Sequence, residues 1–196
     1  MMGKGLLVVI SAPSGGGKTT VIREVLASGN DNYRYSISTT TRARRPNEIH
    51  GRDYHFLSKE EFIRKREKGC FIEWAEVHGN LYATPKAQLE KWLDEGRVVF
   101  LDLDVDGGLA VKKQFGDSAL LIFIKPPSFD SLFRRLEARN TESRAHIQKR
   151  LERYPKEIQK SVYYDCAIVN EKLEETVENI FRILTNRFVI GGTIHD

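Results

Sequence analysis

Residues 11–20 read SAPSGGGKTT, and the reading of this stretch decides the fold. Upstream, Gly5–Ile10 (GLLVVI) is a short unbroken apolar run rich in β-branched residues, which fits a strand buried on both faces. Downstream, TTVIREVLAS carries Val21, Ile22, Val25 and Leu26 at a helical period, and Gly29 follows as a stop. A glycine-rich turn between a strand and a helix is the setting of a phosphate-binding loop, or P-loop. Gly15, Gly16 and Gly17 let backbone N–H groups turn inward around an anion, and the helix N-terminus adds positive potential. Ala12, Pro13, Ser14 and Thr20 complete the stretch that would hold the phosphates of ATP. Lys18 would reach the β- and γ-phosphates, and the Thr19 hydroxyl would ligate Mg2+. Ala12 stands where the strict pattern wants glycine, and it is the smallest replacement available. The alternative is a glycine-rich turn beside a surface lysine, which gives the strand, the spacing, Lys18 and Thr19 no reason to occur together.

The chain has 196 residues, 40% hydrophobic and 30% charged. That suffices for one α/β domain with a substantial core and small inserted lobes. No apolar run approaches membrane-spanning length. MMGKG leads straight into the first strand without a signal-peptide pattern, so a cytoplasmic protein with no membrane partner is expected. Cys70 and Cys166 are far apart, match no metal or redox spacing, and are expected as small buried apolar residues. The five histidines are scattered and suggest no metal site. The net charge of +4 is compatible with nucleic-acid binding. The basic residues cluster, however, in TTRARRPNEIHGR (40–52) and FRRLEARNTESRAHIQKR (133–150). In a P-loop protein, neutralising phosphates during transfer explains such clusters more sharply, and no nucleic-acid partner is expected.

Strand patterns beyond the first are YRYSIS (33–38), DYHF (53–56), CFIEWAEV (70–77), VVFLDLD (98–104), ALLIFIK (119–125) and CAIV (166–169). Helical patterns cover 59–68, 85–95, 107–115, 129–138, 143–162 and 173–188. Ser58 with Glu61 forms a capping box, Thr84-Pro85 reads as N-cap and first helical position, and Ser128 caps the helix after Pro126-Pro127. Pro155 is expected to kink or split the 143–162 helix. Strands and helices alternate except between residues 33 and 83, where short strands and a Gly79-Asn80 turn suggest a small antiparallel lobe. The fold class is therefore α/β: a parallel sheet covered by helices, carrying an inserted lobe. The expected division is a core of 1–32 and 84–188, the lobe 33–83, a lid at 139–150 and a tail at 189–196.

Several separated motifs carry a family resemblance. SISTTTRARRPNEIHGRDYHF (36–56) is similar to S-x-S-x-T-T-R-x-x-R…G-x-D-Y-x-F, and FIEWAEVHGNLYATP (71–85) to F-I-E-W-A…G-N-x-Y-G-T. FLDLDVDG (100–107), RLEARNTESRAHIQKRL (135–151) and YDCAIVNEKLEE (164–175) follow in order. With the P-loop, these make the chain resemble the guanylate kinases, over about Leu6 to Phe188. The resemblance implies the P-loop nucleoside monophosphate kinase fold and transfer of a phosphoryl group from ATP to GMP, with dGMP as a further acceptor. It also implies Mg2+ as cofactor and a monomer or homodimer. In that reading Arg42, Arg45, Tyr54 and Tyr82 hold the GMP phosphate, while Glu73, Ser38 and Thr84 read guanine. The chemistry agrees. Arginines grip phosphate bidentately, and a carboxylate among Phe71, Ile72 and Trp74 suits the guanine N1–H and N2–H donors.

Asp102 resembles the family's carboxylate near GMP and Mg2+, and Asp104 either joins it or caps the next helix. Asp106 replaces a usual glutamine. Arg135, Arg139 and Arg150 match the lid arginines that would join Lys18 and Arg42 in neutralising the transferring group, and Asn170 matches a residue near the donor adenine. Asn140 stands where glycine is usual; Arg144 either adds a phosphate contact or faces solvent. Two other classes compete. A non-catalytic module of the same shape is expected to have lost Lys18 or the lid arginines. A nucleic-acid-binding ATPase leaves Glu73, Ser38 and Thr84 unexplained.

Overall fold

The computed structural model describes residues 5–77, 79–137 and 144–191. Strand β1 (Leu6–Ser11) is buried along its whole length, and β7 (Val98–Asp102) and β8 (Ala119–Lys125) are buried except at their last residues. Unbroken apolar runs of this kind suit a parallel sheet covered on both faces. With β2 (Tyr33–Tyr35) and β9 (Cys166–Val169) they form a sheet of order β2-β7-β1-β8-β9. β1 and β2 both run parallel to β7, with Leu6 and Tyr33 opposite Val98, and β8 runs parallel to β9.

A second sheet has the order β4-β3-β6-β5, from β4 (His55–Phe56), β3 (Thr39–Thr40), β6 (Asn80–Pro85) and β5 (Phe71–Val77). The expected antiparallel pairing holds for β5–β6 and β3–β6, but β3 and β4 are parallel, so the sheet is mixed. Gly79, with φ 77°, turns the β5–β6 hairpin, and Asn80 already lies in β6 opposite Val77. Helix α2 (Lys59–Glu67) begins as read, with Ser58 Oγ accepting from the Glu61 N–H at 3.1 Å. Its Phe62 is fully buried with Leu81, Ala83 and Phe71, which anchors the helix on this sheet.

The remaining helices are α1 (Lys18–Ala27), α3 (Lys86–Asp94), α4 (Val105–Phe115), α5 (Phe129–Glu137), α6 (Arg144–Lys160) and α7 (Leu173–Gly191). Four details correct the sequence reading. Pro85 is the N-cap of α3 rather than its first residue, because the Thr84 hydroxyl is engaged elsewhere. Pro155 lies inside α6 without splitting it. α7 continues through Gly191, so the first residues of the expected tail are helical, and 192–196 lie outside the described residues. Cys70 is exposed and Cys166 half-buried, so neither is a core residue.

The chain forms two compact units. One comprises Met1–Ile10 and Asp31–Leu121 and holds the mixed sheet with α2, α3 and α4. The other comprises Ser11–Asn30 and Ile122–Asp196 and holds the glycine-rich loop with α1, α5, α6 and α7. Among the described residues no helix is long and apolar enough to cross a membrane.

Candidate active site

The glycine-rich loop leaves β1 at Ser11, a fully buried serine whose Oγ accepts from the Tyr164 hydroxyl at 2.8 Å. The loop closes on itself where the Gly16 N–H donates to the Pro13 carbonyl at 2.8 Å. Gly15 and Gly17 have φ of 91° and 92°, a region costly to side-chain-bearing residues. Packing excludes side chains as well. A Cβ on Gly15 would stand 2.8 Å from a Leu136 methyl, and one on Gly17 would stand 2.5 Å from Asn170 Nδ2. Gly17 is the N-cap of α1, so no side chain caps the first turn, which Lys18 and Thr19 open. Backbone amides at a helix start without a side-chain cap are a ready anion cradle.

Arg135 reaches this loop from α5. Its Nη2 donates to the Asn170 carbonyl at 2.9 Å, and its Nη1 is 3.9 Å from where a Gly17 Cβ would lie. Asn170 is buried at the end of β9, with Nδ2 donating to the Gly16 carbonyl at 3.0 Å. Arg139 and Asn140 lie outside the described residues, and Arg150 lies on α6.

In the other unit, the residues read as acceptor ligands fall into two groups. Glu73 on β5 faces Thr84 on β6 in register, and the Thr84 hydroxyl donates to Glu73 Oε1 at 2.6 Å. A Cβ on Gly107 would stand 3.3 Å from Glu73 Oε2, so the first turn of α4 closes on this carboxylate. Asp104 caps that turn, Oδ1 accepting from the Gly107 N–H at 2.8 Å. Burial chiefly, with the Asp104 charge adding to it and Thr84 opposing, pushes the Glu73 carboxyl up to about 7. Ser38 is buried just before β3, and its carbonyl accepts from the His55 N–H.

The second group is cationic and phenolic. The Arg42 guanidinium sits 5.4 Å from the Tyr54 ring centroid and 5.8 Å from that of Phe56, and Tyr54 packs edge-on against Tyr82. Burial first, then the Asp102 charge, pushes the Tyr54 phenol up to about 12, which keeps it a hydrogen-bond donor. Asp102 ends β7. Tyr35 on β2, which the sequence reading passed over, is raised by burial and then by the same Asp102.

Glu48 was also missed. Its Oε1 accepts from Arg42 Nη2 at 2.7 Å and its Oε2 accepts from the Arg45 N–H at 2.9 Å. The Arg45 side chain itself is 63% exposed. The hydrogen bond from Arg42 is the main cause that holds the Glu48 carboxyl below its ordinary range, and the same bond raises Arg42. The available signal was a carboxylate three residues after one arginine and six after another, inside the densest basic stretch. A glycine-rich loop at an uncapped helix start on one unit thus accompanies a half-buried carboxylate and an arginine–tyrosine cluster on the other. The sequence profile described as guanylate kinase matches residues 4–187.

The chain belongs to the guanylate kinase family. It is 44% identical to the guanylate kinase of Rubrobacter xylanophilus over 97% of this chain and 98% of that protein. It is likewise 44% identical to the guanylate kinase of Thermotoga maritima, over 92% of this chain and 86% of that protein. The crystal structure of guanylate kinase from Anaplasma phagocytophilum superposes with a TM-score of 0.79 at 37% identity, covering 93% of this chain and 86% of that one. The P-loop kinase fold class read from the sequence therefore stands, as does its reading as an enzyme of the guanylate kinase family.

Proposed function

We propose that the chain transfers the γ-phosphoryl group of ATP to GMP, with dGMP as a further acceptor, giving ADP and the diphosphate. The observation that carries this reading is the half-buried Glu73, bonded to Thr84 on the small sheet that also holds Tyr82, with Arg42 just after β3 and Tyr54 just before β4. A carboxylate can accept from guanine N1–H and N2–H together. Adenine offers an unprotonated N1 there, so two acceptors would face each other. Ser38 and Thr84 complete the base site, and Arg42, Arg45, Tyr54 and Tyr82 bind the acceptor phosphate.

On the donor side, Ala12 to Thr20 wrap the triphosphate, and Lys18 neutralises its β- and γ-phosphates. Arg135 meets the same loop, and Arg139 and Arg150 complete the cationic set from the lid at 139–150. The cradle's missing Cβ atoms and the position of Thr19 in the first turn fit a Mg2+-nucleotide. The bound ion would be held by the Thr19 hydroxyl, with Asp102 as the carboxylate of the acceptor side, and would screen the phosphate charge. Residues 33–83 are assigned as the acceptor lobe on a core of 1–32 and 84–188. A cytoplasmic protein acting as monomer or homodimer on these nucleotides, without nucleic acid, completes the reading.

A coupled assay with MgATP and each nucleoside monophosphate in turn tests it. GMP turnover well above AMP, UMP and CMP is expected. Turnover of AMP as fast as GMP, or of none, would overturn it.

A further inference from the structure

Asn170 directly follows β9, and its side chain reaches across to the glycine-rich loop. It is 6% exposed, and each of its four polar atoms has a partner within one compact unit. Its N–H donates to the Lys125 carbonyl at 2.8 Å, at the end of β8. Its Oδ1 lies 3.2 Å from the Thr176 hydroxyl, whose proton is shared with the Lys172 carbonyl at 2.9 Å. Its Nδ2 donates to the Gly16 carbonyl at 3.0 Å, and its own carbonyl accepts from Arg135 Nη2 at 2.9 Å.

The Gly16–Gly17 peptide is planar and trans, so its C=O and N–H point in opposite directions. By drawing the Gly16 carbonyl outward, Asn170 turns the Gly17 N–H away from itself. The approach is so close that a Cβ on Gly17 would stand 2.5 Å from Nδ2. The same residue also anchors the guanidinium of Arg135 beside Gly17. One asparagine thus fixes a backbone donor and a cation at one loop.

We propose that Asn170 is a positioning residue of the donor site, acting on phosphate through the Gly16–Gly17 peptide and Arg135 rather than by touching the nucleotide base. Thr176 holds its carboxamide in the required orientation. The proposal rests on the reading of this loop as the phosphate cradle. It differs from a base contact in one respect: it makes no distinction between ATP and a ligand that has no base.

The test is calorimetric titration of the full chain with MgATP and with inorganic tripolyphosphate, for the unaltered protein, Asn170→Ala and Thr176→Val. GMP titration reports whether each variant retains the other unit. Asn170→Ala is expected to weaken both donors by the same factor, roughly tenfold, as one charge-assisted or buried hydrogen bond predicts. Thr176→Val, which keeps the side-chain shape, is expected to weaken both by a smaller equal factor. GMP affinity should not move in either variant. Weakened ATP with unchanged tripolyphosphate would assign Asn170 to the base and overturn the proposal. Unchanged affinity for both donors would overturn it too, and so would a parallel loss of GMP binding, which marks damage without locality. An unaltered protein that binds no tripolyphosphate would overturn the cradle reading and this proposal together.

Discussion

In the proposed reading Glu73 is the residue that sets selectivity. Its folded pKa is raised from an ordinary 4.5 to about 7, so the native protein binds more protons than the unfolded chain between those values. Stability should fall as pH rises through that window, with the penalty complete above about 7 and absent below 4.5. Glu73→Gln removes the penalty, so its Tm relative to the unaltered protein should be higher at pH 8 than at pH 5; equal differences at the two pH values would contradict the shift. Catalysis should move the other way, because only the ionised carboxylate accepts both guanine donors. For GMP, kcat/KM should rise through pH 7, and Glu73→Gln should abolish that inflection while leaving the one from the substrate phosphate near about 6. The same variant should lower kcat/KM for GMP by ~2–4 kcal/mol and raise the ratio of AMP to GMP activity. Equal loss for both substrates would remove Glu73 from base reading. Glu48 acts one step back, holding the Arg42 guanidinium and the Arg45 amide together. Glu48→Gln is expected to raise KM for GMP by about tenfold, the scale of one charged hydrogen bond, with a smaller change in kcat. Initial rates at varied GMP decide this, and an unchanged KM would leave Glu48 a surface ion pair.

At the scale of elements, the loop between β1 and α1 combines local and imported constraints. The positive φ of Gly17 is a property of the turn, but the 2.5 Å approach of Asn170 comes from a strand more than 150 residues later in the chain. Gly17→Ala should therefore be worse than backbone strain alone, which costs about 1–3 kcal/mol. Chemical denaturation should show at least that loss, with ATP turnover falling further still; near-normal turnover would mean that the loop relaxes freely. Elements written by local signals were legible beforehand. β1 and β8 are apolar runs too uniform to be anything but buried strands, and Ser58 caps α2 where the Ser–Glu spacing puts it. Elements set by partners were not. Thr39–Thr40 becomes a strand because it lies between β4 and β6, and Thr84 gives its hydroxyl to Glu73 rather than to the start of α3. Pro155 stays inside α6, although local preference disfavours a proline in a helix interior.

At the scale of the whole molecule, the glycine-rich loop and the residues proposed to hold the acceptor belong to different compact units. Each nucleotide should therefore leave its own footprint in amide exchange. GMP alone should slow exchange in 38–54 and 71–85, and tripolyphosphate alone in 12–20 and around Asn170. GMP protection centred on the P-loop would contradict the assignment of the two sites. The sequence by itself determined the α/β class, the glycine-rich turn between β1 and α1 and membership of the guanylate kinase family. These are carried by short-range periodicity, by glycines in one turn and by motifs whose members are close in the chain. Tertiary structure alone decided what those residues do to one another. The raised carboxyl of Glu73 depends on the α4 turn that closes over it, and the Arg42–Glu48 bond depends on how one loop folds back. The clamp of Asn170 on Gly16 joins residues that no local pattern relates. Hydrogen bonds and desolvation depend on distances of a few ångströms in space, whereas the one-dimensional pattern records only what the backbone must do locally.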